Sequence, residues 1–258
     1  MRAIMGLVLS LCLAACASAS MAPSDAPRLL VYGDSLAWGY VPMSAPEAPE
    51  RYPRSVRWTG VLQDELGGAF TVVEEGFPGR TAGVDNQIAP DYNLNGRPTL
   101  IPLMKSHEPL AAVIIMLGSN DARADYKQTP AQIAASVRHL VRAAKAERPA
   151  PQVLLISPPQ AAAGDSEVFN SLFSGRYDVI AQAGRGLRAV AIEEGAEFLD
   201  AGTLIGTAKG GDGLHLTPEQ NQALASAVVA KLRQMFPDAA IPDASGYFTN
   251  LRQMFFMY

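Results

Sequence analysis

Cysteine is almost absent from this chain. Its two cysteines, Cys12 and Cys16, both fall within the first 20 of 258 residues. The remainder has no thiol with which to build a disulfide, a cysteine nucleophile or a thiolate metal site. Histidine is nearly as scarce, so imidazole chemistry must draw on His107, His139 or His215. Three dispersed histidines with no HExxH pair make a poor metal shell, and no metal is expected. Basic charge is not in excess: 21 Lys and Arg face 25 Asp and Glu, a formal net charge of -4. Phosphate recognition needs a basic face, so nucleic acid is not an expected partner. The GxGxxG turn of dinucleotide enzymes is missing too, since the first apolar strand runs into GDSLAWG; no cofactor is expected.

What the chain has begins with an address. Residues 1–20 carry Arg2 and then an apolar run from Ile4 to Ala15. Such a run is too short to span about 30 Å of hydrocarbon and suits the core of a secretory signal. It ends in Leu13-Ala14-Ala15-Cys16, which resembles a bacterial lipobox, with Cys16 as the lipidated residue. The expectation is an exported, lipid-anchored envelope protein, periplasmic or on the outer membrane, touching membrane only through that lipid. Cleavage after Ala17-Ser18-Ala19 would instead release a soluble protein. Residues 21–27 read as a short tether.

With 48% hydrophobic and 18% charged residues, the remainder reads as a folded chain. Short β-rich runs occur at Arg28–Gly33, Phe70–Glu74, Ala111–Leu117, Gln152–Ile156 and Ala196–Leu199. Helical spacing separates them at Val56–Leu66, Ala131–Ala146, Tyr177–Glu194 and Pro218–Met235. The last two boundaries of note are Thr129-Pro130 and Thr217-Pro218, the latter with Gln220 in a capping-box position. Strands alternating with helices predict a three-layer α/β/α sandwich around a five-stranded parallel sheet. The apolar runs AAVIIML and QVLLI are what doubly covered central strands require. Residues 28–236 read as one domain and 237–258 as an aromatic C-terminal tail, packed or covered by a partner. The segments 41–57 and 82–102 read as long loops, and loops at the carboxyl ends of parallel strands surround the site in such folds.

Three short motifs fall near those strand ends. Gly33-Asp34-Ser35 closes the first strand, where a serine at a strand-to-helix turn can point its Oγ out of the sheet. Gly118-Ser119-Asn120-Asp121 follows the third, and an Asn amide is an uncharged donor suited to an oxyanion. Asp212 and His215 stand three residues apart ahead of the last helix, a spacing that lets the carboxylate accept from Nδ1–H while Nε2 faces a serine. Each motif alone could be a turn, since Ser, Asn and Asp favour turns for local reasons. Their coincidence at strand ends makes the catalytic reading the stronger one.

These residues resemble the blocks of the SGNH (GDSL) hydrolase superfamily. YGDSLAWGYVP, RWTGVLQDELG, VVEEGFPGRT, VIIMLGSND and ISPP look like its aryl esterase and acyltransferase/perhydrolase branch. The resemblance implies a flavodoxin-like sheet, with Ser35 as nucleophile, His215 as general base and Asp212 as its orienting acid. It implies oxyanion donors in the Ser35 N–H, the Gly79 N–H (with Gly76 as alternative) and the Asn120 side chain. Trp38 and Tyr40 are candidate walls of an acyl pocket, or packing for the first helix. Asp34 and Asp121 read as turn holders. Arg80, Arg123, His107 and His139 read as surface residues.

The function expected is a serine esterase for a small-molecule carboxylic ester, with acyl transfer to alcohols or peroxide as an extension of the same intermediate. Lysophospholipase- or thioesterase-like chemistry and deacetylation of envelope polysaccharide stand as alternatives. A non-catalytic binding protein is disfavoured by the complete set of catalytic residues. Related enzymes assemble into oligomers that narrow the site entrance, so the resemblance leaves room for a homo-oligomer.

Overall fold

The computed structural model describes residues 26–89 and 92–243. The expectations for Cys16 and the leader, and for Tyr247, Phe248, Phe255, Phe256 and Tyr258, lie outside the described residues. In chain order the elements are β1 (Arg28–Gly33), α1 (Ser35–Trp38), α2 (Trp58–Glu65), β2 (Thr71–Gly76), β3 (Gln87–Ala89), β4 (Tyr92–Asn93) and α3 (Arg97–Ser106). They continue with β5 (Leu110–Met116), α4 (Pro130–Ala146), β6 (Gln152–Ser157), α5 (Glu167–Leu172), α6 (Tyr177–Glu194), β7 (Glu197–Asp200), α7 (Ala201–Leu204) and α8 (Pro218–Met235).

Five strands form one parallel sheet in the order β2-β1-β5-β6-β7. Side chains alternate across it, as strand geometry requires. Leu29 and Val31 of β1, with Ala112, Ile114 and Met116 of β5, face a core closed by α2 and α8. Leu30, Tyr32, Val113 and Ile115 face a second core closed by α3, α4 and α6. Both faces of β1 and β5 are therefore dry, which is why these strands read as continuous apolar runs. The long helices α4 and α8 begin where their caps demand: Thr129 with Gln132 and Thr217 with Gln220 each form a reciprocal capping box.

The segment 82–102 departs from the loop reading. It contains the antiparallel pair β3–β4, and α3 already starts at Arg97. Pro98 is tolerated in the first turn, but Pro102 lies inside the helix. Leu100 and Met104, four residues apart, are buried against the second core and hold the helix despite the missing amide. Past α8, Ala239 and Ile241 pack against the first core, so packed chain continues beyond residue 236. Among the described residues no helix is long and apolar enough to cross a membrane.

Register fixes one rim. Gly33 at the end of β1 lies level with Gly76 of β2 on one side and Met116 of β5 on the other. The turns that leave these strands therefore start side by side. Above them sits a third apolar cluster, including Tyr40, Phe169, Phe173, Ile180 and Leu214.

Candidate active site

Asp34 ends the turn after β1 and caps α1, its Oδ1 accepting from the Leu36 N–H at 2.9 Å. Ser35 then opens the helix, in the turn whose amides have no intrahelical acceptor. From the other end of the sequence, the segment before α8 brings His215, with Nε2 2.9 Å from Ser35 Oγ. The other ring nitrogen, Nδ1, lies 2.8 Å from Asp212 Oδ2. Ser35, His215 and Asp212 are 7%, 1% and 0% exposed.

The three-residue spacing of Asp212 and His215 works through a local turn. Asp212 Oδ1 accepts from the Leu214 N–H at 3.0 Å and from the His215 N–H at 2.9 Å. One carboxylate thus sets both the backbone and the ring of His215. Burial alone would raise the Asp212 pKa, but the hydrogen bond and charge of His215 and the two amides outweigh it and hold it below the ordinary aspartate value. The turn also needs Gly213, at φ +74°, because an added Cβ would lie 1.9 Å from the Ala162 carbonyl oxygen. The Ala162 N–H in turn donates to the Gly213 carbonyl at 3.0 Å, so the loop after β6 buttresses the histidine segment.

Two contacts on the Ser35–His215–Asp212 set had no sequence signal beyond the length of the loop that carries one of them. The Met43 N–H, in the long loop after α1, donates to Asp212 Oδ2 at 3.3 Å. Phe169 of α5 stands edge-on to the His215 ring, with centroids 5.1 Å apart. Tyr40 lies against the same imidazole, stacked at 4.1 Å and 15°, with its hydroxyl donating to the Ser44 carbonyl. Tyr40 thus packs on the His215 ring beside Ser35. Trp38 is partly buried beside that cluster and carries the Arg51 guanidinium 5.5 Å over its ring.

Asn120 arrives from the turn after β5. Its Nδ2 donates to the Arg80 carbonyl at 3.1 Å and lies 3.4 Å from Asp34 Oδ2. That second contact is long for a hydrogen bond. Asp34 Oδ2 also accepts from Ser119 Oγ at 2.5 Å, which links the turns after β1 and β5. Burial raises the Asp34 pKa against the bonds from Ser119 and Leu36. Asp121 accepts from the Ala82 and Gly83 amides at 2.8 and 3.2 Å, tying the turn after β5 to the segment after β2. Burial pushes its pKa up to about 6 in spite of those amides, and the neighbouring Asp34 charge adds to the rise.

Gly79 sits in the turn after β2 at φ +81°, directly before Arg80. Gly76 instead belongs to β2 and lies close against the main chain of Ala37 and Trp38. Arg80 is not a surface residue: it is buried, with its guanidinium 4.3 Å over the Tyr32 ring. His107 is also half-buried, its Nε2 2.9 Å from Glu75 Oε1. Arg123 pairs with Asp125 at 2.8 Å, and His139 is exposed as expected. Among the described residues no group of three or more His, Cys, Asp and Glu could hold a metal ion.

Residues 31–223 match the GDSL-like Lipase/Acylhydrolase family. An aryl esterase of M. smegmatis is 37% identical and superposes over 81% of this chain and 99% of its own, with a TM-score of 0.76. A carbohydrate acetylesterase from Sinorhizobium meliloti is 34% identical over 81% of this chain and 100% of its own, also at 0.76. The thioesterase 1/protease 1/lysophospholipase L1 of Escherichia coli K12 is 27% identical over 157 residues, 61% of this chain, and the match spans 62% of that protein's length. The family match runs from the strand that presents Ser35 into the helix that follows His215, over the same parallel sheet as two esterases, and so this chain belongs to the GDSL-like lipase/acylhydrolase family of ester-bond hydrolases.

Proposed function

We propose that this protein is a serine esterase acting on short-chain or aryl carboxylic esters through an acyl-serine intermediate. One observation carries the reading above all others. A hydroxyl, an imidazole and a carboxylate lie in one chain of contacts, 2.9 Å from Ser35 Oγ to His215 Nε2 and 2.8 Å from Nδ1 to Asp212.

Ser35 Oγ attacks the ester carbonyl while its proton passes to His215 Nε2. Asp212, ionised and bound to Nδ1–H, holds the tautomer that leaves Nε2 free and stabilises the imidazolium once it forms. The face of Tyr40 stacked on that ring favours the same cation. Negative charge on the carbonyl oxygen is met by the Ser35 N–H, the Gly79 N–H and Asn120 Nδ2, whose long contact to Asp34 leaves one N–H able to turn toward it. Collapse expels the alkoxide, which takes the proton from Nε2 and leaves an acyl-Ser35. Water, deprotonated by His215, attacks the acyl carbonyl and regenerates Ser35 as the carboxylic acid departs. An alcohol or peroxide entering in place of water would yield a new ester or a peracid by the same steps.

Small acyl groups are favoured because Tyr40 and Phe169 crowd the imidazole and leave Ser35 little exposed surface. The names of the aryl esterase and the acetylesterase point the same way. The thioesterase/lysophospholipase relative keeps long acyl chains as the second reading. The test is a series of p-nitrophenyl esters from acetate to laurate, with and without added alcohol, on the protein and on Ser35→Ala. Ser35→Ala is expected to lower turnover by several orders of magnitude with the fold intact. Equal rates for the two proteins would end the serine-esterase reading, and a maximum at laurate would move it to lipid substrates. Export and lipid attachment at Cys16 belong to the same proposal, and fatty-acid labelling that persists in Cys16→Ala would refute the attachment site.

A further inference from the structure

We infer that Arg80 is a positioning residue that sets the three oxyanion donors relative to one another. The inference deepens the serine-esterase reading and rests on it. The donors come from three separate turns, after β1, β2 and β5, and no covalent connection shorter than a helix or a long loop joins them. Oxyanion stabilisation is steep in distance, so donors on three independent turns need a common anchor.

Arg80 has a bond to each turn. Its main-chain carbonyl accepts from Asn120 Nδ2 at 3.1 Å, which orients the amide of the turn after β5. Its own N–H donates to the Phe77 carbonyl at 3.1 Å, closing the turn that contains Gly79. Its Nη1 donates to the Gly33 carbonyl at 2.9 Å, two residues before Ser35, and to the Glu75 carbonyl on β2. The Gly33 carbonyl also accepts from the Phe77 N–H at 3.1 Å, so the ends of β1 and β2 are laced together at this point.

The side chain cannot wander from these partners. It is 8% exposed, lies between the Tyr32 and Phe77 rings at 4.3 and 5.6 Å, and Tyr32 is itself fixed by its hydroxyl to the Gly96 carbonyl at 2.6 Å. A guanidinium is costly to desolvate, and an apolar side chain would have served if this buried position needed only bulk. Nothing in this set touches His215 or Asp212. Loss of Arg80 should therefore blur the oxyanion donors while leaving proton transfer alone.

The experiment uses the full chain with p-nitrophenyl acetate, comparing Arg80→Met and Arg80→Lys, each alone and combined with Asn120→Ala. Arg80→Met is expected to lower kcat by about 30- to 100-fold with KM within about threefold, as for loss of a transition-state interaction. Arg80→Lys keeps a cation that can reach a carbonyl but not the planar fork, and should fall between the two, at roughly five- to tenfold. The shape of the pH–rate profile should not move in either. On the Asn120→Ala background each Arg80 substitution should cost severalfold less than it does in the wild type, because one of the three donors it sets is already gone. A folded Arg80→Met with kcat near wild type, or a loss that multiplies in full with Asn120→Ala, would overturn the inference. If Arg80→Met does not fold, Arg80→Lys carries the same decision: wild-type kcat, or full multiplication with Asn120→Ala, counts against it. Ser35→Ala separates the two levels, since an active Ser35→Ala sinks the esterase reading itself, whereas an inactive one beside an indifferent Arg80 sinks only this inference.

Discussion

Asp212 and Asp121 are both buried carboxyls, yet their pKa values move in opposite directions. The difference is the partner. Asp212 faces an imidazole and two amides, which favour its charge, whereas Asp121 has amides alone and a second carboxyl nearby. Asp212→Asn should cost about 10³–10⁴ in kcat, because an amide cannot hold the required tautomer or oppose the imidazolium; steady-state kinetics on p-nitrophenyl acetate measure it. Asp121 makes a prediction about stability. Its raised pKa means that its contribution is complete below the ordinary value of 3.8 and is lost as pH rises through about 6. The displacement corresponds to on the order of 3 kcal/mol. Asp212, with a lowered pKa, keeps its contribution above the ordinary range and loses it only on stronger acidification. Urea unfolding of wild type and Asp121→Asn at pH 4 and pH 8 should therefore show the wild-type advantage shrinking as pH rises. An advantage that grows would refute the assignment.

At the scale of elements, the site depends on irregular segments pressed against one another. The Gly213 and Ala162 main chains touch so closely that no side chain fits between them. Gly213→Ala should therefore lower both activity and stability, by about 2 kcal/mol or more from the strained φ and the clash together. Gly175→Ala is the matched control: φ is +67°, but nothing lies within 4 Å of the added methyl. It should cost only about 1–2 kcal/mol and leave kcat unchanged. Thermal melts and rates on both variants decide it. The loop after α1 is held just as firmly, since Arg51 and Arg57 both bind Glu74, at 2.6 and 2.8 Å, and Met43 reaches Asp212. Strand and helix runs were legible from their apolar spacing, with Tyr177–Glu194 and Pro218–Met235 matching α6 and α8. The helix α3 was not, because Pro102 reads as a stop and only the burial of Leu100 and Met104 overrides it.

Across the whole molecule, the Ser35–His215 contact joins the end of the first strand to the segment before the last helix, 180 residues apart. It exists only while the sheet and α8 are in place. Trp58 reports on the same junction: it is buried, its amide accepted by Asn221 of α8 at 3.0 Å and its indole donating to the Leu36 carbonyl at 2.9 Å. Esterase activity and tryptophan emission should thus be lost at one urea midpoint. Activity that disappears well before the emission shift would mean that the rim opens ahead of the core.

Local chemistry was enough to determine which side chains could react and which elements would carry them. Ser35, Asp212 and His215 announce themselves by type and spacing, and an apolar run or a capping box acts within a few residues of itself. What faces what across the rim was decided by packing between segments distant in sequence. Tyr40 read as a pocket wall or as packing for the first helix, and its stack on the His215 ring was not foreseen; Arg80 read as solvated and is buried. Neither outcome has a local cause. Stacking, desolvation and a carbonyl's choice of donor arise only once the parallel strands have brought their ends to a common edge.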